Sequence, residues 1–193
     1  MEARSIIFTL LASFLAMLVA FVAWCVWYNI HYVHLHCIDT AGLAFKFYSS
    51  EHDGKLPYST NGFGDALTQF AKRDGTFLNS LCGPDDDGNL FKEALTNHSI
   101  VSEDKCSRIY IQGLAETNDP AICILFDRNS CKGGDHHRSP WGHPLREALL
   151  LDSSSQFIRD EDWSAFSSNQ VKLLVAAGFS RTNALYFYPA AAQ

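Results

Sequence analysis

An uninterrupted apolar run near the N-terminus constrains this chain most. Residues 6–28 contain no charged side chain. A helix needs about 20 such residues to cross a bilayer, and ordinary core helices are shorter. Aromatic side chains, which favour the headgroup layer, close the run. The sequence therefore predicts a membrane-spanning helix, with the span formed by Ile6, Leu10, Phe14, Leu18, Phe21, Trp24, Trp27 and Tyr28.

The same helix is predicted to continue beyond the apolar run as a spine. Neither Pro nor Gly occurs until Gly42, and one face stays apolar at three- and four-residue spacing as far as residue 48. We expect this face to pack on the rest of the protein through Val33, Cys37, Ala41, Ala44 and Tyr48. The expected organisation is an anchor over residues 1–30, the outer half of the spine and its end over 31–57, and a globular domain over 58–193.

The flanking residues predict the orientation of the anchor. Cleavage after Ala23 would place Phe21 where a signal peptidase needs a small residue, so we expect an uncleaved anchor. Arg4 precedes the run, whereas the first cation after it is Lys46. Because positive charge favours the cytoplasmic side, we expect a single-pass protein of the inner (cytoplasmic) membrane, with its N-terminus cytoplasmic and its main domain extracytoplasmic.

The remainder of the chain predicts a mixed fold. Apolar patterns indicate strands over residues 108–114, 121–126, 147–151 and 156–158, and short helices over 61–73, 160–166 and from 168 or 169 to 177. Strands grouped together between helices are typical of an α+β fold. We therefore expect a long N-terminal transmembrane spine helix packed on a small antiparallel sheet with short helices.

Composition and motifs argue against two classes of function. The net charge is −6, and no basic stripe is interleaved with aromatic residues, so we expect no nucleic-acid partner. The chain also lacks the Gly-x-Ser-x-Gly, His-Glu-x-x-His and phosphate-cradling glycine patterns. We therefore expect no catalytic residues, no cofactor and no enzymatic activity.

Cysteine and histidine residues leave two interpretations open. An extracytoplasmic domain permits disulfides, and Cys82 with Cys106 and Cys123 with Cys131 are neighbours in sequence, although sequence alone does not decide the pairing. The polar loop over residues 131–143 also has side chains that zinc accepts. These are Cys131, His136, His137 and His143. We favour a loop without metal. The histidines and cysteine of residues 31–37 could also bind a metal, and the acidic residues 85–89 could bind calcium. At both places we favour an ordinary polar surface without metal.

Several segments, in order, resemble one family. They are 37–48 (CIDTAGLAFKFY), 51–57 (EHDGKLP), 82–85 (CGPD), 107–114 (SRIYIQGL), 124–127 (ILFD), 143–157 and 163–178. Together they resemble type II secretion pseudopilin-like proteins, of the variety found in planctomycetes and verrucomicrobia. The chain departs from that family at two places. It lacks the Gly-Phe-type peptidase site with a glutamate at the fifth mature position, and residues 152–154 (DSS) replace the family's Asp-Gly-His.

The resemblance implies a structural role. We expect a membrane-anchored, pseudopilin-like protein that makes protein contacts in a type II secretion or pilus-like assembly. Its partners would be the membrane and other pseudopilin-like subunits or secretion-system proteins. The alternative is a signal-anchored extracytoplasmic domain that binds metal or catalyses a reaction through the loop over residues 131–143.

Overall fold

The structure is a computed structural model that describes residues 2–32, 37–73, 78–83, 89–130 and 144–180. The chain divides into two compact units, Met1–Leu35 and His36–Gln193. The helices are α1 (Glu2–Tyr32), α2 (Cys37–Ser50), α3 (Phe63–Arg73), α4 (Leu78–Leu81), α5 (Leu90–Thr96) and α6 (Trp163–Ala176), with one turn of 3₁₀ helix at Glu103–Lys105. The strands are β1 (Arg108–Tyr110), β2 (Cys123–Asp127), β3 (Leu145–Leu150) and β4 (Ser155–Arg159).

The first unit corrects the prediction of a transmembrane spine. Within the residues that the structure describes, no helix is long and apolar enough to cross a membrane. The predicted single-pass location in the inner membrane is therefore wrong, as is the span assigned to Ile6, Leu10, Phe14, Leu18, Phe21, Trp24, Trp27 and Tyr28.

The predicted continuity from anchor to spine falls on residues outside the described ranges. Helix α1 ends at Tyr32 and α2 begins at Cys37. Residues 33–36, which include the predicted packing residue Val33, lie between them.

In the second unit, α2 forms because its apolar residues recur at helical spacing and pack against the sheet. Ile38, Ala41, Ala44 and Phe45 are all buried in the core. The helix ends at Ser50, and the turn that follows it becomes left-handed, with φ of 54° at Asp53 and 75° at Gly54. Side chains from one face of α2 thus form the centre of the α+β unit.

The four strands form an antiparallel meander, in the order β1-β2-β3-β4. Helix α2 packs on β3, α3 on β1 and α6 on β4. Alternate residues of a strand point to opposite faces. On one face Tyr110 stacks on Phe45 of α2, with 5.2 Å between ring centroids. On the other face Phe126 contacts Trp163 of α6, with 5.5 Å between ring centroids.

The elements differ from the sequence-based expectations where side chains or turns override local pattern. Strand β1 stops at Tyr110, well before residue 114, and the chain turns at Gly113, whose φ is 86°. Two short helices were predicted over residues 160–177, but α6 is a single helix. Within it, the buried Ser167 donates its hydroxyl to Ser164 O at 3.1 Å, so its side chain bonds within the helix instead of capping a new one.

Candidate functional site

The exposed surface of α1 is the first candidate site. All side chains described from residue 11 to residue 24 are exposed, and Ser13 is the only small polar one among them. Ten large apolar residues contribute to this surface. They are Leu11, Phe14, Leu15, Met17, Leu18, Val19, Phe21, Val22, Trp24 and Trp27. A helix that is apolar on all sides requires burial by neighbouring groups. We call this set the α1 surface.

The second unit contains a buried charge cluster, which we define as Arg108, Asp127 and Glu147. The pairing of β1 with β2 sets Arg108 opposite Asp127, and Glu147 follows on β3. Arg108 Nε lies 3.1 Å from Asp127 Oδ1, and Arg108 Nη2 lies 2.8 Å from Glu147 Oε2. Asp127 Oδ2 accepts the Glu147 backbone N–H at 2.8 Å. The meander therefore aligns three charged residues across three adjacent strands.

The electrostatics of this cluster centre on Glu147. One guanidinium faces two carboxyl groups, and all three side chains are at most 2% exposed. Burial raises the pKa of Glu147 from its ordinary 4.5 to about 8; Arg108 opposes the rise, and the carboxylates of Asp127 and Asp39 add to it.

The end of α2 carries a stacked polar cluster. The Tyr48 and His52 rings stack with centroids 3.8 Å apart, and the Arg73 guanidinium lies 5.6 Å from the Tyr48 centroid. Tyr48 O lies 2.7 Å from His52 Nδ1, and Arg73 Nη1 lies 2.8 Å from His52 Nε2. Since a carbonyl and a guanidinium fix the donor and acceptor roles of the two ring nitrogens, His52 donates from Nδ1 and accepts at Nε2.

A shallow groove of about 200 Å³ runs beside α2. Phe45 and Ile124 line its floor, whereas Lys46, Glu116 and Asp152 provide its charged rim. Ser154 donates hydrogen bonds to Asp152, and these lower the pKa of the Asp152 carboxyl. The rim is open to solvent, and its charges are of both signs.

The predicted spine and cysteine residues are distributed as follows. Ala41 and Ala44 are buried in the core, and Tyr48 packs against it. Cys82, Cys106 and Cys123 are also buried. Burial raises the pKa of the Cys123 thiol, which donates a hydrogen bond to Leu125 O at 3.5 Å.

Neither disulfide pairing is tested by this geometry, and both remain predictions. Cys131 lies outside the described residues, as do the side chain of Cys37 and the other candidate zinc ligands, His136, His137 and His143. Among the residues that the structure describes, no group of three His, Cys, Asp or Glu side chains could hold a metal ion.

Sequence reasoning missed the buried charge cluster. The available signal was a charged residue within or next to each of three predicted apolar strands, namely Arg108, Asp127 and Glu147. Strand register decides whether such residues meet, and register requires the pairing partners to be known.

Comparisons with protein-family models, with curated proteins and with solved structures found no match to this chain. The similarity to pseudopilins therefore remains a prediction from the residues.

Proposed function

We propose that this protein is a structural subunit that assembles with copies of itself through the α1 surface, as the resemblance to pseudopilins implies, in a secretion or pilus-like assembly. The observation that carries the proposal is the exposure of ten large apolar side chains on one helix. Exposed apolar patches of this kind mark interaction sites in folded proteins.

The magnitudes favour several neighbours for each helix. Burying one large apolar side chain contributes ~1.5–3 kcal/mol. A single neighbour that covers about half of the α1 surface would contribute roughly 10 kcal/mol on this scale. Association costs ~4–15 kcal/mol in lost freedom. One neighbour is therefore close to break-even. Because the described part of α1 is apolar on all sides, it can accept more than one neighbour, and an assembly of several subunits is favoured over a pair.

The second unit supports a structural role in a different way. Its core unites α2, the sheet and α6 around one cluster of apolar side chains. Helix α2 against an antiparallel meander is the arrangement that the pseudopilin resemblance implies for the globular part. In this proposal α1 supplies the contacts between copies, and the second unit folds on its own core.

Photo-crosslinking tests the proposal directly. Leu15 on α1 and Tyr58 on the second unit are each 60% exposed, so a photo-crosslinking amino acid can be placed at either position with equal access. In cells that express the full chain, we expect position 15 to yield a ladder of cross-linked copies. Position 58 is the matched control and should yield far less. A probe at position 15 that captures only lipid, or that captures no more of the chain than position 58 does, would contradict the proposal.

A further inference from the structure

The shallow groove beside α2 has an apolar floor and room for one small molecule. Phe45, Leu56, Ile124 and Leu151 line the floor, and Phe45 and Ile124 belong to the core of the second unit. The groove has a volume of about 200 Å³, whereas pockets that hold drug-sized ligands have ~300–1,000 Å³. Its volume therefore limits an occupant to a molecule smaller than those ligands.

Three exposed charged side chains surround this floor. Lys46 comes from α2, Glu116 from the segment between β1 and β2, and Asp152 from the turn between β3 and β4. In the part of the chain that the structure describes, the ion pairs involve other residues, so these three charges are not paired with one another. Their charges are therefore available to a ligand in the groove.

Hydrogen bonds hold the two carboxylates at the rim. The buried Ser49 donates its hydroxyl to Glu116 Oε1 at 2.5 Å. Ser154 donates both its hydroxyl and its backbone N–H to Asp152 Oδ1, and these bonds lower the pKa of the Asp152 carboxyl. The positive charge of Lys46 lowers that pKa further. Because the acceptors are already held in place, a ligand that binds them loses less affinity to the ordering of side chains.

A rim with charges of both signs selects the charge of its ligand. A ligand with only a positive charge would meet Lys46, and a ligand with only a negative charge would meet the carboxylates of Glu116 and Asp152. We propose that the groove binds a free apolar α-amino acid, whose ammonium faces the two carboxylates, whose carboxylate faces Lys46 and whose side chain covers the floor. This inference is independent of the proposed assembly through α1, because the groove is lined by residues of the second unit.

Saturation-transfer-difference NMR on the full-length protein at neutral pH tests this binding, because it observes the ligand and tolerates a large assembly. The probes are L-phenylalanine, 2-phenylethylamine and 3-phenylpropanoate, which share one aromatic ring and differ in charge. We expect L-phenylalanine to bind with a Kd on the order of 1 mM, since the ligand is small and the groove is shallow. Each analogue, which lacks one charged group, should bind at least about tenfold more weakly. Absence of saturation transfer to L-phenylalanine at about 10 mM, or equal affinity for the three probes, would overturn the proposal.

Variants of the exposed charges locate the ligand in the groove. Lys46→Gln removes the partner of the ligand carboxylate, so it should weaken the binding of L-phenylalanine about tenfold and leave 2-phenylethylamine bound no more weakly. Glu116→Gln removes a partner of the ligand ammonium, so it should weaken L-phenylalanine by a similar factor and leave 3-phenylpropanoate bound no more weakly. Lys92→Gln and Glu93→Gln, which remove exposed charges of α5, are the matched controls and should leave all three affinities unchanged. Groove variants that change the affinities no more than these controls do would overturn the proposal.

Discussion

At the scale of single residues, Arg108 shows how a buried charge can define a fold without being a favourable contact in itself. Replacing a buried ion pair with apolar groups is often neutral or stabilising, whereas removing one partner costs ~3–5 kcal/mol. The value of Arg108, Asp127 and Glu147 is therefore in specifying register. A slip of one residue in β3 would turn Glu147 to the opposite face of the sheet and leave Arg108 with one carboxylate.

A second residue, Ser153, carries backbone strain that can be relieved. It occupies the turn between β3 and β4 with φ of 71°, where a side chain costs ~1–2 kcal/mol and glycine has no such cost. We expect Ser153→Gly to raise the free energy of unfolding by about 0.5–1 kcal/mol, after the greater chain entropy of glycine is subtracted.

Urea unfolding would measure this gain as a higher midpoint at an unchanged slope. The control is Ser102→Gly, since exposed Ser102 has φ of −73° and glycine there should lower stability. Equal changes in the two variants would show that the left-handed turn at Ser153 is not strained.

At the scale of secondary-structure elements, the contact between α2 and the β3–β4 hairpin depends on a glycine. A Cβ added to Gly42 would lie 2.9 Å from Leu149 Cδ1 and 3.3 Å from Ser153 Cβ. Leu149 is fully buried, so it has little space into which it can move. Gly42 therefore allows α2 to approach the sheet at a distance that larger residues would not permit.

This close approach predicts the effect of filling the site. We expect Gly42→Val to lower the free energy of unfolding by about 1–3 kcal/mol, because overpacking forces side chains or backbone to shift. Thr40→Val places the same side chain at an exposed position of the same helix and should change stability by less than about 0.5 kcal/mol. Thermal unfolding of both variants measures the difference, and a Gly42→Val protein as stable as Thr40→Val would show that α2 does not approach the hairpin this closely.

Sequence predicted those elements whose pattern is repeated locally. Helix α3 was expected over residues 61–73 and occupies Phe63–Arg73, because Phe63, Leu67 and Phe70 recur at helical spacing and are buried. Helices α4 and α5 were missed, since four and seven residues give too short a pattern. The buried charge cluster was missed because contacts between strands depend on register, which no local pattern contains. The apolar character of α1 was visible in the sequence.

At the scale of the whole molecule, the two units present opposite kinds of surface. Within its described ranges, the second unit buries most of its large apolar residues around one core and exposes a few, such as Tyr58 and Ile100. The described part of α1 exposes apolar side chains throughout. A chain with this division is expected to fold one unit on its own core and to bury the other against neighbouring molecules.

The molar mass of the full chain in detergent-free solution tests this central claim most directly. Light scattering at about 10 µM should give several times the 21.5 kDa of one chain. Replacing Leu11, Leu15 and Leu18 with Gln removes one stripe of the α1 surface and should lower this mass towards 21.5 kDa. Replacing the exposed Tyr58, Ile100 and Phe157 with Gln should leave the assembly intact. A wild-type mass of 21.5 kDa, or an assembly whose mass the α1 substitutions lower no more than the Tyr58, Ile100 and Phe157 substitutions do, would contradict the account.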